Sequence, residues 1–353
     1  MVERRPDYYT QFHCLGGACP DTCCRDWSVV LDEDALADYA AAPAPLGERI
    51  ARNLATDGDG DVCFCLDEAG LCALLTPGGL CAIQKDWGEG HLCAHCAAYP
   101  RFTEEYGCLT ETALAVSCPE AARLLLEAPR FSLVETYDGM DDLPFDGVDP
   151  GLLSMLEGSR AQILALLDGG EETIWDRLRA MLGRAKTLET SIFAADSRRD
   201  YPFPPPPIPG LFQASAVWLL DLLSELEPLR LDWPNLLRER AQQLAALSER
   251  EYAALRIRYA QANPRWERQL TNLACYLVFR HWHKAVNDDA LYGRAAFVCA
   301  ACAVLYHLSL FQPGEEAALW TRFSREVEHN EDNLGELIWA LSEPDALPPP
   351  LTI

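Results

Sequence analysis

Twelve of the 15 cysteines in this chain lie within its first 118 residues, and that crowding constrains the fold more than any other feature. The densest stretch is Cys14-Leu-Gly-Gly-Ala-Cys19-Pro-Asp-Thr-Cys23-Cys24-Arg-Asp-Trp27. Two chemistries gather thiols this way: a disulfide framework, or ligands placed to converge on a metal. The opening Met-Val-Glu-Arg-Arg-Pro-Asp-Tyr-Tyr-Thr has no apolar run of the kind a secretory signal needs. The cysteine count is odd, and adjacent Cys23-Cys24 is awkward for ordinary disulfide pairing. Metal ligation in a reducing compartment, by zinc or an iron-sulfur cluster, is therefore the expectation, with the cytoplasm as the expected location.

At 353 residues and 49% hydrophobic, the chain is long enough for one large or two medium domains with real cores. No apolar run approaches the ~20 residues of a membrane helix, and 297–311, rich in Ala and Cys and holding His307, reads as a buried helix. No membrane partner is expected. The net charge of -25 is spread, with 9 basic against 21 acidic residues up to position 130 and 20 against 33 beyond it. Such a field repels nucleic acid phosphate and favours cations such as a lysine side chain or a sulfonium centre, although many acidic chains are simply soluble.

Taken in order, Tyr8, Tyr9 and Phe12 are spaced to pack against the first cysteine loop. Acidic residues from Asp32 to Asp34 open a short helix that Pro43 and Pro45 end. The stretch from Thr56 to Asp61 resembles part of a calcium loop, but Leu66 stands where the ligating glutamate belongs, which leaves a turn. Cys63, Cys72 and Cys81 fall nine residues apart in two copies of the pattern C-x-x-L-x-x-x-G-L-C. Each copy reads as a small hairpin turned by Gly70 or by Gly78-Gly79, and either could supply ligands. Cys93 and Cys96 form a C-x-x-C pair in which His95 is a weaker candidate ligand. Pro119 fits the first turn of a helix, which places Cys118 at its N-terminus, where a thiolate is stabilised.

Beyond residue 130 the texture is helical, with apolar residues at three- and four-residue spacing over 151–167 and 171–188. Further helices are expected over 211–226, 234–247 and 249–262, after Asn263-Pro264, and over 297–311 and 315–341. Trp266, Leu270, Leu273, Leu277 and Val278 form a buried stripe, and Cys275, Cys299 and Cys302 read as core thiols. His281 and His283, two apart on a helix, do not face one ion. The expected fold is mainly α: a loop-dominated cysteine-rich metal-binding domain (1–128) packed on an all-helical C-terminal domain (211–353). A helical connector (129–200) and a proline-rich linker (201–210) join them.

Several ordered motifs carry a resemblance: Cys14-x4-Cys19-Pro-Asp-Thr-Cys23-Cys24-x-x-Trp27, Cys72-x8-Cys81-x-Ile-Gln, Gly88-Glu89, Leu92-Cys93-x-x-Cys96-x-x-Tyr99-Pro-Arg101 and Ser117-Cys118-Pro-Glu120-Ala-Ala-Arg. Over residues 8–126, and loosely through Leu273 to Arg280, the chain resembles the flagellin lysine N-methylase family of FliB type. Its cysteine region is similar to YkgJ-type domains described as zinc- or iron-chelating. The resemblance implies methyl transfer from S-adenosylmethionine to flagellin lysines by a protein holding an iron-sulfur cluster of 4Fe-4S type, with zinc as the alternative metal. It implies Cys14, Cys19, Cys23, Cys24, Cys72, Cys81, Cys93, Cys96 and Cys118 as ligands, more than the four one cubane takes. Cys63, Cys65 and Cys108 are additions to the family pattern, and Arg25-Asp26 stands where the family tends to place a glycine before the tryptophan.

Methylating lysine requires a deprotonated amine in line with the sulfonium methyl. Gly58-Asp-Gly60 lacks the apolar strand of a donor-binding loop, and Asp26 stands where a radical-type C-x3-C-x2-C motif would have its third cysteine. Asp21, Tyr99 and Arg101, inside the ligand-bearing loops, are candidate base, proton relay and carboxylate clamp; alternatively they pair with one another to fix those loops. Two further readings are a metal storage, delivery or redox protein that moves no methyl, and a zinc-stapled helical scaffold binding a partner through its acidic surface.

Overall fold

The computed structural model describes residues 2–58, 60–137, 147–192 and 211–342, so the proline-rich 201–210 lies outside the described residues. The strands are β1 (Val2–Pro6), β2 (Leu54–Thr56), β3 (Val62–Phe64), β4 (Arg101–Tyr106), β5 (Leu109–Leu114) and β6 (Leu133–Tyr137). The helices α1 (Glu33–Ala40), α2 (Leu46–Arg52), α3 (Ala82–Asp86), α4 (Ala94–Ala98) and α5 (Pro119–Glu127) are short. Longer helices follow: α6 (Pro150–Asp168), α7 (Ile174–Ile192), α8 (Leu211–Glu225), α9 (Asp232–Ala245), α10 (Glu249–Ala262) and α11 (Trp266–His281). The chain continues through α12 (Ala285–Asp288), α13 (Leu291–Phe311), α14 (Glu316–Phe323) and α15 (Glu331–Ser342), and the fold is mainly α.

Two compact units interleave along the sequence. The thiol unit comprises Gln11–Phe102 and Leu114–Ala121; the helical unit comprises Met1–Thr10, Thr103–Ala113 and Ala122–Ile353. These units cut across a boundary at residue 128, because β1 and most of β4 and β5 belong with the helices.

The helical unit contains a four-stranded sheet of order β4-β5-β1-β6, where only loops and helices were expected. β1 runs parallel to β5 and antiparallel to β6, which itself lies in the stretch expected as a purely helical connector. The register sets Arg4 opposite Glu111 on one side and Glu135 on the other. Arg4 Nη1 donates to Glu111 at 3.1 Å, its Nε to Glu135 at 2.8 Å and its Nη2 to Glu157 of α6 at 2.8 Å. Glu111 also receives both Nη groups of Arg160, one at 2.6 Å, and lies 3.2 Å from His283 Nδ1. Three strands are thereby tied to α6 through a network whose centre, Glu111 with Arg160, is buried and whose outer carboxylates, Glu135 and Glu157, reach the surface. Tyr8, expected against the cysteine loop, is instead buried in this unit, edge-on to Phe131, which packs on Phe279.

Local signals explain the helix starts. Asp149 caps α6 by accepting the Leu152 N–H at 2.8 Å, and Ser248 with Glu251 forms a capping box on α10. α11 is buried over every residue from Leu270 to His281, more than the single stripe expected. α13 is the one described helix long and apolar enough to cross a membrane, and 94% of its apolar window is buried inside the protein. Cys275, Cys299 and Cys302 sit in this core, as their apolar context predicts. The stretch expected as one helix over 315–341 is broken by a π turn at Ser324–Glu328. That turn carries Glu326 inward to accept the Leu229 N–H at 2.8 Å and sets Glu328 3.1 Å from His281 Nε2, so two buried carboxylates gain partners at the cost of regular helix. His281 and His283 each face a carboxylate, not one another.

Candidate functional site

The thiol unit is built around a small apolar core of Leu31, Tyr39, Ile50, Phe64, Leu74 and Ile83 with Cys93 buried among them. Asp32 is its main stitch. Its Oδ1 caps α1 by accepting the Ala35 N–H, and its Oδ2 accepts the Ala94 N–H, each at 2.8 Å. The Ala94 bond and then the Ala35 bond hold this carboxyl below the usual range, and one side chain so fixes the loop bearing Cys93 and Cys96 against α1. The calcium-like stretch is, as expected, the turn of the β2–β3 hairpin, with the Asp61 N–H donating to Asp57 Oδ1 at 2.9 Å.

Both halves of the nine-residue repeat form the hairpins expected. Leu66 bridges Cys72 and Leu75 bridges Cys81, with Gly70 and Gly79 at φ of 73° and 75° in the turns. The backbone bonds repeat as well: the Ala73 N–H donates to Cys65 O at 2.9 Å, and the Ala82 N–H to Leu74 O at 2.8 Å. The copies do different work. The first seats the Cys23-Cys24 loop, through Asp26 N–H to Gly70 O at 2.8 Å and Cys72 N–H to Cys24 O at 2.9 Å. The second seats the Cys14–Cys19 loop, whose Gly16 and Gly17 lie against Gly78 and Leu80. Arg49 Nη2 clamps the join between copies, donating to Ala73 O at 2.7 Å and Leu75 O at 3.0 Å. A Cβ on Gly17 would stand 2.4 Å from the Gly78 carbonyl oxygen, a backbone atom with little room to retreat. Gly17→Ala is thus expected to destabilise the thiol unit by about 1–3 kcal/mol, measured as a lowered urea midpoint for this unit.

These supports carry the loops that bear nine thiols, none of them in a disulfide. The Cys23 thiol donates to Cys24, which lowers the Cys24 thiol to about 7 and raises that of Cys23. Cys96 donates to Cys93 in the same way, and the Cys93 thiol falls to about 7. Burial raises Cys72 to about 11 and raises Cys81 and Cys118. Backbone N–H groups nonetheless point at sulfur: Gly16 to Cys14 at 3.4 Å, Leu74 to Cys72, Ile83 and Gln84 to Cys81, and Glu120 and Ala121 to Cys118. Cys118 stands just before Pro119 at the start of α5, as expected. Among the described residues no three His, Cys, Asp or Glu side chains are drawn together as tightly as a single ion requires.

The other sequence candidates are placed as follows. The Tyr99 hydroxyl lies 3.1 Å from Ser117 Oγ, and its ring meets Trp27 edge-on. Trp27 Nε1 in turn donates to Cys23 O at 2.7 Å, so Tyr99 is linked to the Cys23-Cys24 turn. Arg101 lies over the Phe12 ring at 5.3 Å, and the backbone carbonyl of Asp21 accepts the Cys19 thiol at 3.3 Å. Cys63 is buried in β3, whereas Cys108 belongs to the helical unit. Sequence reasoning missed Arg49, the second acceptance by Asp32, and Tyr39, whose buried hydroxyl lacks a well-formed hydrogen bond beside Cys81, Cys93 and Cys96. A cavity of about 440 Å³ lies in the helical unit between α6 and α7, lined by Ser159, Arg184, Thr187 and Trp282 among others, with no cysteine in its wall.

No family model matches the chain and no solved structure matches it. Among curated proteins it is 30% identical over 132 residues to the flagellar biosynthetic protein FliU of Salmonella muenchen, covering 35% of this chain and 76% of that protein. It is also 30% identical over 132 residues to lysine-N-methylases of Salmonella typhimurium and Salmonella choleraesuis. Those matches span only 32% of each methylase, about a third of its length. On 30% identity across three quarters of FliU, the chain belongs to the family of that flagellar biosynthetic protein.

Proposed function

We propose that this protein is an S-adenosylmethionine-dependent protein-lysine N-methyltransferase acting on flagellin, with an iron-sulfur cluster held by thiols of the cysteine-rich unit. The observation that carries the reading is a set of nine thiols outside any disulfide, Cys93 and Cys118 buried, Cys14 exposed and the other six half-buried, with backbone N–H groups aimed at several sulfurs. The relatives named lysine-N-methylase supply the reaction class.

The chemistry of the donor set supports the group: thiolates are the ligands iron-sulfur clusters take, and an N–H directed at sulfur, such as that of Gly16 at Cys14, stabilises thiolate charge. Cys14, Cys19, Cys23, Cys24, Cys72, Cys81, Cys93, Cys96 and Cys118 are the residues that would hold it, and the cluster would supply a Lewis-acidic iron able to anchor the donor's amino and carboxylate groups.

The protein's own task is to present an amine. The lysine ammonium gives a proton to the Asp21 carboxylate, and Tyr99, joined to Ser117, relays it outward. The amine lone pair then forms the N–CH3 bond as the sulfonium S–CH3 bond breaks, and S-adenosylhomocysteine leaves. Arg101, planar and donor-rich, pairs with a carboxylate of donor or substrate.

The test incubates metal-loaded protein with flagellin and methyl-labelled S-adenosylmethionine, then maps label by mass spectrometry. Label on flagellin lysines is expected, and Asp21→Ala should lower turnover about a hundredfold with metal content intact. Full activity in that variant would remove Asp21 from the mechanism. Loaded protein that transfers no methyl would favour the storage, delivery or redox reading.

A further inference from the structure

The helical unit buries a carboxylate that its cations leave alone. Glu316 opens α14 and is 7% exposed, and among the described residues no arginine, lysine or histidine forms an ion pair with it. Its Oε1 accepts the Tyr259 hydroxyl at 3.1 Å and the Asn263 side-chain amide at 3.0 Å, bonds that join the end of α10 to α14. Among the described residues no hydrogen bond reaches its Oε2. Burying a carboxylate is costly unless it is paired, so this oxygen requires a donor, and a cationic one serves best.

The surroundings select the cation. Glu316 lines a cavity of about 10 Å³, room for one water-sized group, whose wall also holds Tyr259, Trp266, Tyr306 and Trp320. The Tyr306 ring centroid stands 5.1 Å from that of Trp266 and 5.8 Å from that of Tyr259. Trp266 and Gln269 in the same wall are half-buried, so the pocket opens on their side. Aromatic walls favour an organic cation, and a single carboxylate is too few ligands for a hard metal ion. A cation already sits on the neighbouring rings: the Arg256 guanidinium lies 5.6 Å from the Phe212 and Tyr252 centroids, and its Nε donates to the Tyr306 hydroxyl at 3.1 Å. Arg256 is engaged there and not with Glu316.

We infer that this pocket binds a primary alkylammonium head group, its N–H donors meeting Glu316 Oε2, its charge among the rings of Trp266, Tyr306 and Trp320, and its alkyl stem leaving past Gln269. The cavity has room for an unmethylated ammonium and is too small for a fully methylated one. A free amine and a protein lysine share this chemistry. The site lies within the helical unit and is independent of the methyl-transfer reading.

The experiment titrates the purified full chain with butylammonium at an ionic strength held constant with sodium chloride, and follows the ligand's proton relaxation by NMR. It is repeated with tetramethylammonium and with lysine blocked at both backbone ends. Saturable butylammonium binding is expected, with a Kd on the order of millimolar. Tetramethylammonium should bind at least about tenfold more weakly, and so should butylammonium to Glu316→Gln, which keeps the shape of the side chain and removes its charge. Blocked lysine that matches butylammonium assigns the site to a protein lysine, and blocked lysine that does not bind assigns it to a free amine; both results uphold it. No saturable butylammonium binding, equal affinity for tetramethylammonium, or unchanged binding by folded Glu316→Gln overturns it. The comparison of the two cations on the wild type decides the matter even if the variant fails to fold.

Discussion

Replacing Glu111 by alanine is expected to destabilise the helical unit by about 3–5 kcal/mol, a large share of the stability of a domain this size. Arg160 is 2% exposed and both its Nη groups donate to Glu111, while Arg4 donates to the same carboxylate from the neighbouring strand. Without Glu111 the Arg160 guanidinium keeps the Phe279 carbonyl at 3.2 Å and the face of the Phe279 ring, and stays buried and charged. Burial alone would raise the Glu111 carboxyl, but hydrogen bonds from Arg160 and His283 outweigh it and hold it at about 2. A depressed carboxylate contributes stability above its unfolded value near 4.5 that is lost as the pH falls towards 2. Urea unfolding followed by far-UV dichroism should show a lower midpoint for Glu111→Ala with an unchanged slope; an unchanged midpoint would contradict the ion network as described.

A second large effect is acid destabilisation that begins well above the carboxylate range. His307 is wholly buried, its Nδ1 facing Ala303 O at 2.7 Å and its Nε2 the Tyr252 hydroxyl at 2.8 Å. The neutral ring satisfies both contacts by donating from Nδ1 and accepting at Nε2. Burial lowers its proton affinity to about 3, and burial also lowers His281 and His329 to about 4. The unfolded chain takes up these protons near pH 6.5 while the folded chain does not. Stability is therefore full above 6.5 and declines as the pH falls towards 3, with His307 alone contributing on the order of 4 kcal/mol of the loss. Unfolding free energy measured from pH 7.5 to 4 should stay level down to about pH 6.5 and fall below it, and His307→Gln should flatten that fall. An equal slope in the variant would show that His307 does not carry the effect.

Much of the thiol unit was legible because its signals are local. The repeat of Leu66 to Cys72 and Leu75 to Cys81 contains its own turn glycines, and Pro119 announces α5 directly after Cys118. What the repeat could not reveal is that its copies seat different loops, since that depends on Gly17 meeting Gly78 and Asp26 meeting Gly70 across the fold. The sheet was illegible for a related reason. Val2–Pro6 and Leu109–Leu114 are short, polar and over a hundred residues apart, so no period in either announces the pairing of Arg4 with Glu111. In the helical unit periodicity placed α6 and α10 closely, but it ran one helix through 315–341, because a π turn leaves the apolar spacing almost unchanged. Asp32 was readable only as part of the acidic start of α1; its cap bond to Ala35 is local, whereas its bond to Ala94 is 62 residues distant and tertiary.

The most direct test of the account is the visible spectrum and the iron and sulfide content of the protein purified without oxygen, recorded before and after adding S-adenosylmethionine. The account predicts a brown protein with matched iron and sulfide whose absorption shifts when the donor binds. A colourless protein, holding neither iron nor sulfide and unchanged by the donor, would contradict it.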